Sequence, residues 1–171
     1  KRSRRLFGSL QVTASKSETV PDDQLWWKQD TSSADKLIDA AKSHFRLVMG
    51  DATAYRPIPV PSFPLLHPQQ CWVLVGRERF ASAEEANRVL FTELLRKPPF
   101  LDDSVFGYVR GSNRRASPLI AHAHRVAGDI VPILTAFRSE NNESLNWDRM
   151  NQFMKAAQKR FNAETVWGRE P

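Results

Sequence analysis

Cysteine and long apolar runs are what this chain of 171 residues has least of. Cys71 is its only cysteine, which excludes an internal disulfide and a metal site built from several thiolates. The longest apolar runs, 71–76 and 130–134, are far shorter than the roughly 20 residues that a membrane-spanning helix needs. We therefore expect no transmembrane segment, and we interpret Cys71, which opens the first run, as an inert buried thiol.

Sequence signatures of catalysis are missing as well. The chain has no Gly-x-Ser-x-Gly elbow, and it lacks both the Walker loop and the glycine-rich dinucleotide loop. His122 and His124 lie in a segment predicted to be helical, where residues two positions apart project about 200° from each other. Such a pair cannot chelate one ion, so we predict no metal site. We also predict no catalytic residue, no cofactor and no small-molecule substrate, and therefore a protein that is not an enzyme.

Acidic residues are missing from the first seventeen positions, and this leaves a basic N-terminal arm. Five of the 25 basic residues and none of the 19 acidic residues lie there, so the rest of the chain is almost neutral. We predict that residues 1–22 form a flexible arm that binds RNA phosphates and releases their counterions. Because the chain begins with Lys rather than Met, the arm also fits a processed organelle-targeting segment. Its predicted RNA contacts are Lys1, Arg2, Arg4, Arg5 and Lys16.

Apolar spacing and capping residues predict four helices and two strands. The helices are expected after Ser32 or Ser33, at 83–95 after Ser82, at 117–137 with a kink at Pro132, and after Ser144. The strands are expected at 71–76 and 104–110. In this chain order the two strands would pair in parallel through a helical crossover. Since two strands make a weak sheet, a third strand near 10–13 or a partner would complete it.

These elements predict an α+β, helix-dominated single domain over residues 23–171 with a small strand–helix–strand–helix unit. A proline-rich extended strap, 54–70, lies within it, because five prolines there exclude a helix and a central strand. The strap is expected to be stiff, and it either lies across its own domain or docks a partner protein. The predicted protein contacts are Trp26, Trp27, Ile58, Phe63 and Leu65.

The segment 110–115 is the best local candidate for binding phosphate. Arg110, Arg114 and Arg115 lie between a predicted strand and a predicted helix, where backbone amides and the helix dipole attract anions. A solvated loop is the alternative interpretation. Just upstream, Asp102 and Asp103 could hold a metal or share a proton, although a solvated turn is the simpler interpretation.

Together these features predict a non-catalytic structural subunit of a large ribonucleoprotein, with RNA and neighbouring proteins as partners. An organellar ribosome is the most concrete form of the prediction, and it implies the mitochondrial matrix, or otherwise the cytosol. Two alternatives stay open. The chain could be an accessory subunit of a respiratory or other membrane-peripheral complex. It could also be a small phosphate-handling enzyme that uses segment 110–115 together with Asp102 or Asp103.

Overall fold

A four-stranded antiparallel sheet lies at the centre of the fold. The computed structural model of the chain describes residues 31–101, 103–110 and 113–169, and of 108–110 and 113–115 it describes the backbone alone. In chain order the elements are α1 (Ala34–Met49), β1 (Cys71–Val75), α2 (Ala83–Val89), β2 (Tyr108–Arg110), β3 (Asn113–Arg115), β4 (Leu119–Val126), β5 (Asp129–Phe137), α3 (Trp147–Arg160) and β6 (Glu164–Gly168). A π-helical segment, Leu90–Leu95, continues α2, and 3₁₀ turns lie at Ala52–Ala54, Ser104–Phe106 and Glu140–Asn142.

The sheet has the strand order β4-β5-β1-β6, and every neighbouring pair is antiparallel. Since β1 and β4 both run opposite to β5, which lies between them, they run parallel to each other. α2 lies in the connection from β1 to β4, and α3 connects β5 to β6. This β-α-β-β-α-β path with a split β-α-β unit is the ferredoxin-like arrangement. The hairpin of β2 and β3 is inserted before β4 as a separate two-stranded sheet.

α2 and α3 cover one face of the sheet and form the larger core with it. Trp72 and Leu74 of β1 and Leu134 of β5 belong to the same buried cluster as Met150 and Phe153 of α3. Burying a side chain of this size contributes about 1.5–3 kcal/mol relative to leaving it exposed. This face therefore supplies most of the hydrophobic stabilisation that holds the two helices in place.

α1 covers part of the opposite face. Its Leu37 and Ile38 are 2% and 1% exposed, and they pack in one cluster with Val73 and Val75 of β1. The apolar residues of α1 recur at helical spacing, so one side of the helix is buried while the other meets solvent. The same helix leaves the β4 side of this face less covered, and Ile120 there is 50% exposed.

Ion pairs at one end of the sheet fix the position of α1. Arg77, just after β1, donates from Nε to Asp35 of α1 at 2.7 Å and also pairs with Glu164 of β6. Lys42 of α1 pairs with the same Glu164 carboxylate. The side chains are partly exposed, so each pair adds at most about 1 kcal/mol. Their main effect is to set where α1 lies over β1 and β6.

The α+β class is confirmed, but helices do not dominate the fold. The predicted helix at 117–137 is wrong, because this stretch forms β4 and β5, joined by a turn at Ala127 and Gly128. Strands that are covered on both faces carry apolar residues on both, and such a pattern can imitate helical spacing. Ser117, predicted to cap the helix, instead accepts the Leu119 N–H on its hydroxyl at 3.0 Å.

Pro132 lies inside β5 rather than at a helix kink. A central strand tolerates proline poorly, since the residue has no N–H for the ladder. Here Gly76, the residue after β1, donates its N–H to the Pro132 carbonyl at 2.8 Å. A Cβ on Gly76 would lie 2.7 Å from Pro132 Cγ, so the glycine makes room for the ring. The missing N–H therefore removes a ladder bond at the end of β1 and not in its middle.

The predicted parallel pairing of two neighbouring strands is also wrong. The segment 104–110 forms a 3₁₀ turn and β2, and β2 pairs with β3. A helical crossover does leave β1, but it reaches β4, and β5 lies between the two strands. Within the described residues, β5 and β6 complete the sheet beside β1. The suggested strand near 10–13 lies outside the described residues.

Two of the four predicted helix caps are confirmed, and the caps predicted at Ser117 and Ser144 are wrong. Ser33 begins α1 and Ser82 begins α2, and each hydroxyl accepts the backbone N–H three residues further on, at 3.2 and 3.1 Å. α3 is capped by Asn146 and not by Ser144, with Asn146 Oδ1 accepting the corresponding N–H at 3.0 Å. A cap of this kind contributes about 1 kcal/mol.

The turn between β4 and β5 offers a test of the corrected assignment. Ala127 and Gly128 both have positive φ, 49° and 96°, and this pattern in a two-residue hairpin favours Asn-Gly. We expect Ala127→Asn to raise the free energy of unfolding by about 0.5–1 kcal/mol, because Asn adopts a left-handed backbone more readily than Ala. Urea denaturation measures the change. Ala127→Val should lower the midpoint, and three equal midpoints would contradict the hairpin.

Candidate nucleic-acid interface

Arg110 lies on β2, and Arg114 and Arg115 lie on β3, so the basic residues are carried by paired strands and do not precede a helix. Three residue pairs hold β2 to β3: Tyr108 with Arg115, Val109 with Arg114, and Arg110 with Asn113. The segment 110–115 contains three arginines and no acidic residue. Since the chain after it forms β4, the predicted attraction of an anion to a helix dipole at this place is wrong. The positive charge remains, carried on a paired backbone.

Aromatic packing fixes the chain just before the hairpin to α3. The rings of Phe106 and Phe153 have centroids 4.8 Å apart, and Phe100 packs edge-on against both at 6.0 and 5.3 Å. Asp103 Oδ2 also lies 3.4 Å from Arg149 Nε of α3. Because Phe106 lies two residues before β2, the arginine hairpin begins at a well-anchored point of the fold.

Asp103 is already engaged in structural contacts. Besides its contact with Arg149, its Oδ1 accepts the Val105 N–H at 3.0 Å and caps the 3₁₀ turn. Asp102 lies outside the described residues. A carboxylate held by a cap and an arginine is a poor candidate for a general base, so Asp103 gives no support to a phosphate-handling enzyme.

β4 lies at the edge of the sheet and carries a second polar group. Ile120, His122 and His124 occupy alternate positions of this strand and so share one face of the sheet. The imidazole rings of the two histidines have centroids 6.1 Å apart, with their planes inclined by 42°. The prediction that they project to opposite faces is wrong, because the spacing of a strand and not of a helix applies.

Burial lowers the pKa of His124, and the positive charge that His122 carries when protonated lowers it further. Burial also lowers the pKa of His44 on α1. Both shifts favour the neutral imidazole. At neutral pH His44 and His124 therefore act as uncharged rings with one donor nitrogen and one acceptor nitrogen.

The proline-rich strap contacts its own domain at several points. The carbonyls of Pro61 and Leu66 accept from the Glu140 N–H at 2.8 Å and from Trp167 Nε1 at 2.7 Å. The Tyr55 ring packs edge-on against Trp167, with centroids 5.9 Å apart. These contacts support the interpretation that the strap lies across its own domain.

The strap also exposes apolar side chains. Phe63 is 59% exposed and Leu66 is 39% exposed, whereas Ile58 and Leu65 are partly buried. Phe63 therefore has the exposure that a partner contact requires, and its predicted role stays a prediction. Two other predicted protein contacts, Trp26 and Trp27, lie outside the described residues. The same holds for the predicted RNA contacts of the arm, which are Lys1, Arg2, Arg4, Arg5 and Lys16.

Cys71 is buried in the cluster beneath α1, and burial raises the pKa of its thiol to about 12. The thiolate is the reactive form, so this side chain is inert at neutral pH. Within the described residues, no three His, Cys, Asp or Glu side chains come together as a metal cluster. No helix in the same part of the chain has the length and apolar character to cross a membrane.

Sequence reasoning missed the juxtaposition of His122 and His124. The available signal was Ala127-Gly128-Asp129, a turn sequence in the middle of the supposed helix, followed by β-branched residues. A strand before that turn would have placed both histidines on one face.

Comparison with known proteins identifies no family for this chain. No protein-family model matches the chain, and no curated protein matches it. Among solved structures, the apo form of Cmr1 from Pyrococcus furiosus matches at 20% identity and a TM-score of 0.46. The match covers 98% of this chain and 54% of the Cmr1 chain, so the chain spans about half the length of that protein. At this level of likeness we transfer no activity or partner.

The prediction of an organellar, mitochondrial ribosomal subunit is wrong on this comparison. The solved chain that matches almost the whole sequence is Cmr1 and not a ribosomal protein. The location of the protein in the cell is a separate question, and it stays a prediction.

Proposed function

We propose that this chain is a non-catalytic module that binds the phosphate backbone of RNA through the β2–β3 hairpin and works inside a protein assembly. The observation that carries the proposal is the hairpin itself. Three arginines fall within six residues that contain no acid, and all three lie on the strands in which residues 108–110 pair with 113–115. Arginine is well suited to phosphate, because its planar guanidinium donates two parallel hydrogen bonds to the oxygens.

The anchoring of the hairpin supports the same function. Its first strand follows Phe106, whose ring packs against Phe153 of α3, and its second strand leads within four residues into β4. A basic ribbon held at both ends loses less conformational freedom on binding than a mobile tail does. The contact is expected to recognise phosphates rather than bases, and so to show little sequence preference.

The strap supports the second part of the proposal. Phe63 and Leu66 lie near each other in the sequence and are exposed, although the strap itself is fixed to the domain through its backbone. Exposed apolar side chains on an ordered segment suit contact with a neighbouring protein. A partner that covers Phe63 would remove it from water without reordering the chain.

Charge removal at the hairpin tests the proposal. In the triple variant Arg110→Gln, Arg114→Gln, Arg115→Gln, we expect affinity for a short single-stranded RNA to fall at least about tenfold at moderate salt. The slope of log affinity against log salt should become shallower by about 2, since each lost phosphate contact on a single strand removes about 0.7. Fluorescence anisotropy over a range of salt concentrations measures both.

A matched control removes three arginines elsewhere. Arg56, Arg88 and Arg96 are exposed, and their joint replacement by Gln changes the net charge by the same amount. We expect this variant to change the salt slope by less than about 0.5. If both triple variants lose affinity equally, binding reflects net charge alone, and the hairpin is not the site. No binding by the unmodified chain would end the proposal altogether.

A further inference from the structure

The imidazole pair on β4 has a geometry that the proposed RNA contact does not use. His122 and His124 lie at alternate positions of an edge strand, and each is partly buried and partly open to solvent. Opposite them on β5 lie Ile133 and Val131, which are their register partners. Two imidazole side chains thus lie side by side on one face of the sheet, next to an apolar strand.

The two rings are slightly too far apart to bind one tetrahedral ion without moving. A metal–nitrogen bond of about 2.1 Å puts the ion about 3.2 Å from the centroid of each imidazole. Two such rings at a tetrahedral angle have centroids about 5.2 Å apart. The observed distance is 6.1 Å. Chelation therefore requires the two side chains to rotate toward each other, with no change in the path of β4.

We propose that His122 and His124 together bind one divalent transition-metal ion of the zinc class, Zn²⁺, Cu²⁺ or Ni²⁺. Imidazole nitrogen favours these ions over Mg²⁺ and Ca²⁺, which take oxygen ligands. No cluster of three ligating side chains occurs in the described residues, so the remaining positions are open to water or to donors from another molecule. The site is therefore weaker than a closed structural zinc site, which has four protein ligands.

Zinc titration into the full 171-residue chain tests the site. Isothermal calorimetry in a non-chelating buffer above neutral pH is expected to show one saturable Zn²⁺ per chain and no saturable Mg²⁺. His122→Gln and His124→Gln should each weaken Zn²⁺ binding at least about tenfold, because each leaves a single ligand. The electron paramagnetic resonance spectrum of one equivalent of Cu²⁺ should show two imidazole nitrogens.

A third histidine provides the matched control. His44→Gln removes a partly buried imidazole from α1, and it should leave the Zn²⁺ affinity within about twofold. Thermal melting without metal identifies a variant that fails to fold, in which case the other single variant decides. Equal Zn²⁺ affinity in the unmodified chain and in the doubly substituted chain would overturn the proposal. A Cu²⁺ spectrum with a single imidazole nitrogen would do the same.

Discussion

Gly168→Ala is expected to lower the free energy of unfolding by about 3 kcal/mol or more, through backbone strain and overpacking together. Gly168 ends β6 with φ of +71°, a conformation that side chains with a Cβ rarely adopt. A Cβ built there would lie 2.0 Å from the carbonyl oxygen of Cys71 in the neighbouring strand. Backbone cannot yield as the end of a flexible side chain can. The same oxygen also accepts the Arg169 N–H at 3.1 Å, so the new methyl group displaces a bond as well.

The neighbouring residue prevents β6 from moving away to relieve this clash. Trp167 is 5% exposed, and its ring stacks on Phe45 of α1 with centroids 5.3 Å apart and planes inclined by 10°. Its Nε1 donates to the Leu66 carbonyl at 2.7 Å. Moving Gly168 outward would pull this ring from between α1 and the strap. Fraying of the last strand is therefore expected to loosen α1 and the strap too.

Gly128→Ala is the matched control for this variant. Gly128 also has positive φ, +96°, but a Cβ there meets nothing within 4 Å. We expect it to cost about 1–2 kcal/mol, the strain of the backbone alone. Urea denaturation of the three proteins, followed by tryptophan fluorescence, gives the comparison. If Gly168→Ala and Gly128→Ala are equally stable, the close approach of β6 to Cys71 is not a constraint on the fold.

The elements that the sequence predicts correctly are those with strong local signals. β1 is a short continuous apolar run that ends at Gly76, and all five of its residues are buried. α1 and α2 begin at serines that accept a backbone N–H three residues on. Such signals act within a few residues, so they need no knowledge of what the element packs against.

The failures come from elements whose identity depends on distant partners. β5 is apolar on both faces, and β4 carries apolar residues on both, because α2 and α3 cover one side of the sheet and α1 covers part of the other. From the sequence alone, such a pair of strands is hard to distinguish from a buried helix. That one error hid the ferredoxin-like order and separated His122 from His124. β6 escaped notice for the same reason, since it follows α3 closely and is identified by its pairing with β1.

The sequence predicts which arginines the candidate interface contains, but it does not predict that they lie on a hairpin. Arg110, Arg114 and Arg115 stand out in any reading of the sequence, because no acid lies among them. A hairpin without an Asn-Gly or Asp-Gly turn has little local signal, and the strands are three residues each. Its anchoring through Phe106 depends on contacts with α3, far along the chain.

Phe153→Ala is expected to lower the free energy of unfolding by about 3–5 kcal/mol, the range for a large buried side chain that leaves a cavity. Phe153 is fully buried at the centre of α3. It packs edge-on against Phe100 at 5.3 Å and against the tilted ring of Phe106 at 4.8 Å. Both partners lie in the chain that leads to the arginine hairpin, so the cavity should also weaken the attachment of β2. Urea denaturation measures the first effect. RNA affinity, determined without denaturant and well below the melting temperature, measures the second.

Phe63→Ala is the control, because it removes a phenylalanine side chain without leaving a cavity in the core. Phe63 is 59% exposed on the strap, so its replacement should change the stability by no more than about 0.5 kcal/mol. It should also leave RNA affinity unchanged, since the strap is assigned to a protein partner and the hairpin to phosphate. Phe153→Ala should reduce RNA affinity even where native tryptophan fluorescence shows that the chain is folded. Retained affinity in that folded variant would mean that the hairpin does not depend on α3 for its position, and the arginines would then act as a mobile charge and not as an anchored ribbon.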